Sequence, residues 1–341
     1  MQSTGRPPGL GPHCVGQRVV VRRLLPGRTG PSGGPAMTDL LGVMESWTAT
    51  ETVVRAEDGV ATTIALADIV SGKPVPPRPS PRMRVTAEQA CRRANASWPA
   101  TVAEPLGEWL LRASGGFSAR ANSVMAVGDP GVGFDEAVDR VRAFYAAHDL
   151  PAWAQVLVGS DVHRQLDDAG WELARPGEAD SLFLLGPVAG AVRAARRLRP
   201  TGALPDLVTG TTASPAWLGS DARAREYGQA ALDVLEGPET VGFVSALPSE
   251  GRDERPVIAA GRVAVDGDWA GISSVWVSPD HRRQGLGVVV MEALLGWAAE
   301  RGATTAYLQV RGDNPPAVAL YERLGFATHH AYRYLAADRT V

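Results

Sequence analysis

The chain has 341 residues, more than one ordinary hydrophobic core holds, so two or three domains are expected. Hydrophobic residues make up 45% and charged residues 21%, a globular composition, and the net charge of -3 gives no global attraction to nucleic acid or an anionic membrane. No run approaches the ~18–20 apolar residues of a membrane helix, and the N-terminus MQSTGRPPGLGPHC has no apolar signal core, so the expected location is cytoplasmic.

Residues 1–14 read as a disordered leader. Residues 15–72 read as a small barrel of short strands of the SH3-like kind: GQRVVVRR (16–23), LLGVMESW (40–47), TETVVRA (50–56) and ATTIALADI (61–69) are β-rich and broken by Gly/Pro turns. Val19, Val20, Val21, Trp47 and Ile64 are its expected core. Arg18, Arg22 and Arg23 offer a surface for an acidic protein partner, nearly balanced by Glu45, Glu51, Glu57, Asp58 and Asp68. Residues 73–94, beginning KPVPPRPSPR, read as a Pro-rich linker. Cys14 and Cys91 have no metal-site spacing and read as reduced thiols.

The remainder repeats one pattern. Residues 95–190 carry a strand and glycine loop (119–134), a helix with Ala137, Val141, Phe144 and Tyr145 on one face, a strand (153–158), a short helix (161–171) and a closing strand (181–185). Residues 191–204 form an arginine-rich bridge, read as a solvated helix. Residues 205–336 repeat the order: strand and loop (270–287), helix (288–302), strand (304–310), short helix (313–326) and closing strand (332–335). Landmarks recur at offsets of 152, 154 and 155 residues (Ala146 to Ala298, Gln155 to Gln309, Gly170 to Gly325), which points to an internal duplication in a mixed α/β fold.

The second loop reads VSPDHRRQGLG. Pro279 stops the strand, and Gly285 and Gly287 let backbone amides approach a ligand. A helix then points its unpaired amides and positive end at the loop, beside Arg282 and Arg283, which suits a pyrophosphate. The spacing is neither a dinucleotide fingerprint nor a P-loop. Arg282, Gly285 and Gly287 fill R-x-x-G-x-G. Asn314, Ala317, Leu320, Tyr321, Leu324, Gly325 and Phe326 fill N-x-x-A-x-x-L-Y-x-x-L-G-F.

Together these two pieces resemble the acyl-CoA motifs of the GNAT superfamily of N-acetyltransferases, over about residues 205–336. The resemblance implies acetyl-CoA as co-substrate and no metal. Arg282 and the amides around Arg283, Gln284, Gly285, Leu286, Gly287 and Val288 would hold the pyrophosphate. Val275, Trp276 and Val277 would line the strand that pairs with the pantetheine arm. Asn314 would touch that arm, and Tyr321 would be the general acid that protonates the leaving thiolate. The acceptor would be a small-molecule or peptide amine. No general base stands out among Glu254, Asp266, Asp268 and Asp280, and His281, His329 and His330 read as solvated surface.

The first half resembles a GNAT domain that has lost both motifs. Its loop has Gly128, Gly131 and Gly133 but an aspartate, Asp129, and no arginine; Leu166 stands where Tyr321 does. It is expected to bind no CoA and to wall the acceptor cleft. A small barrel ahead of two such halves resembles an actinobacterial acetyltransferase family. The competing readings are a non-catalytic acyl-CoA sensor and a protein that recruits partners through its barrel.

Overall fold

The computed structural model describes residues 9–30, 33–56, 58–75, 81–249 and 255–337. The chain divides into two compact units, Met1–Pro79 and Ser80–Val341.

The small unit is one antiparallel sheet of β1 (Arg18–Thr29), β2 (Pro35–Trp47), β3 (Glu51–Ala56), β4 (Ala61–Ala65) and β5 (Ile69–Pro74), in the order β4-β3-β2-β1-β5. The expected closed barrel is corrected here: β4 and β5 are the two edges, and no pairing joins them among the described residues. Strand alternation decides the core. Val19, Val21, Met44, Val54 and Ile64 point inward and are buried, whereas Val20 faces the other way. The leader also differs from expectation. Leu10 and Cys14 are buried in this same core, because a short 3-10 turn at Pro12–Cys14 folds them onto the sheet. Residues 1–8 lie outside the described residues, as does Glu57.

The large unit opens with α1 (Ala87–Ala96), which begins inside the expected linker. Its signal is a capping box: Gln89 N–H donates to Thr86 Oγ at 3.1 Å, and Thr86 N–H donates to Gln89 Oε1 at 3.0 Å. Thr86→Ala should therefore cost ~1 kcal/mol, read from the denaturation midpoint of the large unit. Residues 76–80 of the linker lie outside the described residues.

The first half continues with β6 (Val102–Leu106), β7 (Trp109–Ala113), β8 (Val124–Met125), α2 (Phe134–Ala147), β9 (Trp153–Leu157), α3 (Asp161–Asp168), β10 (Glu172–Leu173) and β11 (Ser181–Pro187). After α4 (Val188–Leu198), the second half comprises β12 (Asp206–Gly210), α5 (Pro215–Leu218), α6 (Ala222–Tyr227), α7 (Gln229–Leu235), β13 (Val241–Leu247), β14 (Ala259–Asp266), β15 (Trp269–Val277), α8 (Leu286–Glu300), β16 (Thr305–Arg311), α9 (Pro315–Arg323) and β17 (Ala327–Ala336).

Both halves share one 12-stranded sheet, in the order β12-β13-β14-β15-β16-β11-β17-β9-β8-β7-β6, with β10 pairing on β17. The closing strands are exchanged. β11, expected to close the first half, lies between β16 and β17; β17 lies between β11 and β9 of the first half. Each half completes the other, so the seam is continuous hydrogen-bonded sheet rather than a docked interface.

The bridge is also corrected. Ala191, Ala194 and Ala195 of α4 are buried against Val290, Leu294 and Ala298 of α8. Arg199 forms a two-pronged pair with the buried Glu292 of α8, at 2.6 and 2.9 Å. The small-residue face of α4 lets it lie close on the strongly apolar α8. No helix among the described residues is long and apolar enough to cross a membrane.

Candidate functional site

β15 is the strand that opens the site. It pairs in parallel with β16 only from Trp269 to Ile272, the last partner being Leu308. Past that point it stays on β14 alone, through a bulge in which Gly261 faces both Ser274 and Val275. Ser274 sits at φ 50°, a left-handed conformation unusual for a non-glycine residue. The bulge turns β15 away from β16, so Val275, Trp276 and Val277 line a gap with backbone groups available on the β16 side.

The loop after β15 ends at Gly285, whose φ of 79° caps α8 without a side-chain bond. Arg283 is left-handed too, at φ 61°. The first-turn amides of Leu286 and Gly287 have no helical carbonyl behind them. Gly285 is favoured by its positive φ, and both glycines leave little room for a side chain. A Cβ on Gly285 would meet the Pro200 ring at 3.1 Å, and one on Gly287 would meet Leu320 at 3.2 Å and Val277 at 4.0 Å. Arg282 is exposed and reaches back to the Val277 carbonyl at 3.5 Å.

Opposite the loop stands α9. Asn314 is its N-cap, accepting from Ala317 N–H at 3.3 Å, and Pro315 follows at the first helical position. Tyr321 is buried, and burial pushes its phenol up to about 12. Its hydroxyl has no hydrogen-bond partner among the described residues.

One cleft of about 850 Å³ gathers these groups. Val275, Trp276, Val277, Arg282, Arg283, Gly285, Leu286, Gly287, Val288, Asn314 and Tyr321 all line it; Gln284 does not, and its amide donates to the Asp280 carbonyl at 3.4 Å. The cleft also uses residues that the sequence did not single out. Leu198 comes from the bridge helix, and Pro316 and Arg323 from α9, beside the motif residues Ala317 and Leu320. The signal for Leu198 was present, since it continues the Ala191-Ala194-Ala195 stripe at helical spacing, among Arg193, Arg196, Arg197 and Arg199.

The candidate bases separate. Asp266 and Asp268 sit in the β14–β15 turn, at the far end of β15, ~25 Å of strand from Val277. Asp268 there pairs with Arg93 at 3.2 Å. Asp280 is exposed beside the phosphate loop, and Glu254 lies outside the described residues. His329 and His330 are not solvated surface. His330 stacks on Phe183, its ring faces the Cys91 thiol at 3.5 Å, and burial beside His329 pulls it down to about 4. His281 is half-buried. Among the described residues, no three His, Cys, Asp or Glu side chains are grouped to hold a metal ion.

The matching loop of the first half holds an anion of its own. The Glu108 carboxylate accepts from Asp129 N–H at 2.8 Å, and Asp129 Oδ1 accepts from Gly131 N–H at 2.8 Å. Arg92 pairs with Glu108 at 3.0 Å. Leu166 is buried, so no phenol faces this loop from α3.

Comparison with known proteins places these features. Residues 86–168 and 193–335 match the family described as probable histone acetyltransferase Rv0428c C-terminal. Residues 13–73 match that family's N-terminal Sm-like domain. The probable histone acetyltransferase Rv0428c of Mycobacterium tuberculosis is 30% identical, over 95% of this chain and 96% of its own. The uncharacterized N-acetyltransferase YobR of Bacillus subtilis is 29% identical, over 71% of this chain and 96% of its own. Among solved structures, a tandem GNAT protein from the clavulanic acid biosynthesis pathway superposes with a TM-score of 0.51 at 16% identity, covering 64% of this chain and 76% of that one; it shows the fold alone.

Proposed function

This chain belongs to the Rv0428c family of GNAT N-acetyltransferases, and from that premise we propose that it moves an acetyl group from acetyl-CoA directly to a primary amine, using the second half only. The observation that carries the reading is convergence. The glycine loop, the splayed part of β15 and Tyr321 line one cleft, although they come from three separate segments.

The cleft suits acetyl-CoA. First-turn amides of α8 and Arg282 and Arg283 face the place of the pyrophosphate. A side chain on either glycine would fill that cradle. The backbone of Val275–Val277 offers the bonds that β16 no longer takes, first to an extended arm and then to the oxygen of the thioester carbonyl. A neutral amine attacks that carbonyl carbon and gives up its proton to water. The carbon–sulfur bond breaks, and the Tyr321 hydroxyl protonates the departing thiolate and takes a proton back from solvent. The first half has a carboxylate in place of the phosphate and no phenol, so it binds no CoA in this reading.

Isothermal titration of acetyl-CoA tests it. Wild type should bind, and the Gly285→Asp, Gly287→Asp double variant should lose about 100-fold or more, through steric filling and like charge. No binding by folded wild type would overturn the reading.

The pH profile is a second test. A phenol held near 12 stays protonated throughout the working range. The rate should rise with pH as the acceptor amine deprotonates, with no falling limb from Tyr321 between pH 7 and about 10. A falling limb centred near 10 that vanishes in Tyr321→Phe would show the phenol to be solvated instead.

A further inference from the structure

A second, smaller cavity of about 220 Å³ lies at the seam of the two halves. Its floor is Gln309–Arg311 of β16, the stretch just past the last pairing with β15, and its walls include Tyr332 and Tyr334 of β17. The first half contributes Trp98, Ser118 and Arg120. The cavity therefore adjoins the open side of the same strand gap whose other edge, Val275–Val277, lines the large cleft.

The charges along its wall are compensated with one exception. Glu178 pairs with Arg311 at 2.8 Å and with Arg175 at 3.6 Å. Asp180 holds Arg333 by two bonds, at 2.9 and 3.0 Å. Arg120 has no carboxylate partner among the described residues. Its guanidinium lies over the Trp98 ring at 4.9 Å and beside the phenols of Tyr332, Tyr334 and Tyr307, with a hydrogen bond to Tyr332; the cations Arg112 and Arg262 act on it too, and its Nε is buried with no acceptor. Two other buried arginines of this seam are not like it. Arg112 is bonded to Ser123, Asn95 and Gln155, and Arg262 to Leu235, Ser97 and Ser273. A guanidinium set among phenols and other cations, with no carboxylate beside it, is completed by an anion that enters the cavity.

We infer that this cavity is the acceptor site and that Arg120 takes the carboxylate of a small amine of the amino-acid class. The inference rests on the transferase reading. The cavity is smaller than the ~300–1,000 Å³ of pockets for drug-sized ligands, which favours a compact acceptor over a bulky one. Neighbouring phenols and the Gln309 amide, already accepting from the Tyr332 hydroxyl at 2.6 Å, add polar contacts without a competing anion. The first half thus supplies the specificity residue to a reaction carried out in the second.

The test is a titration of product-like probes, which needs no acetyl-CoA: the N-acetyl derivatives of the common amino acids, each beside its C-terminal amide. Wild type should bind at least one carboxylate form about 10-fold or more tighter than its amide. Arg120→Gln should erase that preference, and Arg120→Lys should keep part of it, while acetyl-CoA affinity stays at the wild-type value in both. Equal or absent binding of all carboxylate forms by folded wild type overturns the inference, as does a preference that survives Arg120→Gln. Failure of acetyl-CoA itself to bind is a separate result and falls on the transferase reading.

Discussion

Tyr321→Phe should lower kcat by about 100-fold or more while leaving acetyl-CoA affinity and the melting temperature near wild type. The substitution removes one oxygen from a buried ring and nothing else. The edge-on contact with Phe326, centroids 6.3 Å apart, is kept. The hydroxyl has no hydrogen-bond partner among the described residues, so the change strands none of them. What is lost is the proton that the thiolate takes as it leaves. An effect on KM alone would make Tyr321 a binding residue. Unchanged turnover would make it a core aromatic, and thiolate departure would then rely on solvent. A chain that only senses acyl-CoA would bind equally well before and after the change, with no turnover to lose.

Why Tyr321 was legible and other features were not follows from the range of the interactions involved. The glycine loop and α9 are local: Pro279, Gly285, Asn314 and Gly325 set strand end, helix start, N-cap and helix end through contacts within a few residues. Such signals can be read along the chain. Strand order cannot, because which strand lies beside β16 is settled by partners far apart in the chain, and no local signal in β11 or β17 marks it. Their exchange is decided by which neighbour completes the sheet. The bulge at Ser274 is invisible for a similar reason, since no glycine marks its left-handed residue. Leu10 looked like leader because Gly and Pro surround it; one leucine and one cysteine suffice to hold such a segment to a small core. Arg120 has no motif at all. Only the fold shows that Asp180 and Glu178 have taken other partners.

Arg262→Met should destabilise the large unit by ~3 kcal/mol and, through the same change, lower kcat more than it raises KM. Arg262 is fully buried on β14, and burial lowers its pKa to about 9, so it is still charged at pH 7. Its three contacts tie three separate segments together. It donates to the Leu235 carbonyl at the end of α7 at 2.7 Å and to the Ser97 carbonyl after α1 at 3.0 Å. The third bond goes to Ser273 Oγ at 3.1 Å, beside the bulge. Methionine has similar length and relieves the desolvation of a charge, which offsets part of the loss. It cannot bond to either carbonyl, and each stranded acceptor costs ~1–3 kcal/mol. For a unit of this size the sum is a fall of ~6–12 °C in melting temperature. The kinetic part follows from geometry. With Ser273 released, the left-handed Ser274 loses a restraint, and β15 is freer to extend its pairing onto β16, which would close the gap along Val275–Val277. Reduced kcat with acetyl-CoA affinity nearly kept is the expected signature of a residue that positions the oxyanion donors without touching substrate. Arg262→Lys should recover part of the stability, since an ammonium reaches one carbonyl but not all three acceptors. A stable, fully active Arg262→Met would show that the backbone alone holds the splay, and the bulge would then owe its conformation to the Gly261 pairing rather than to the arginine beneath it.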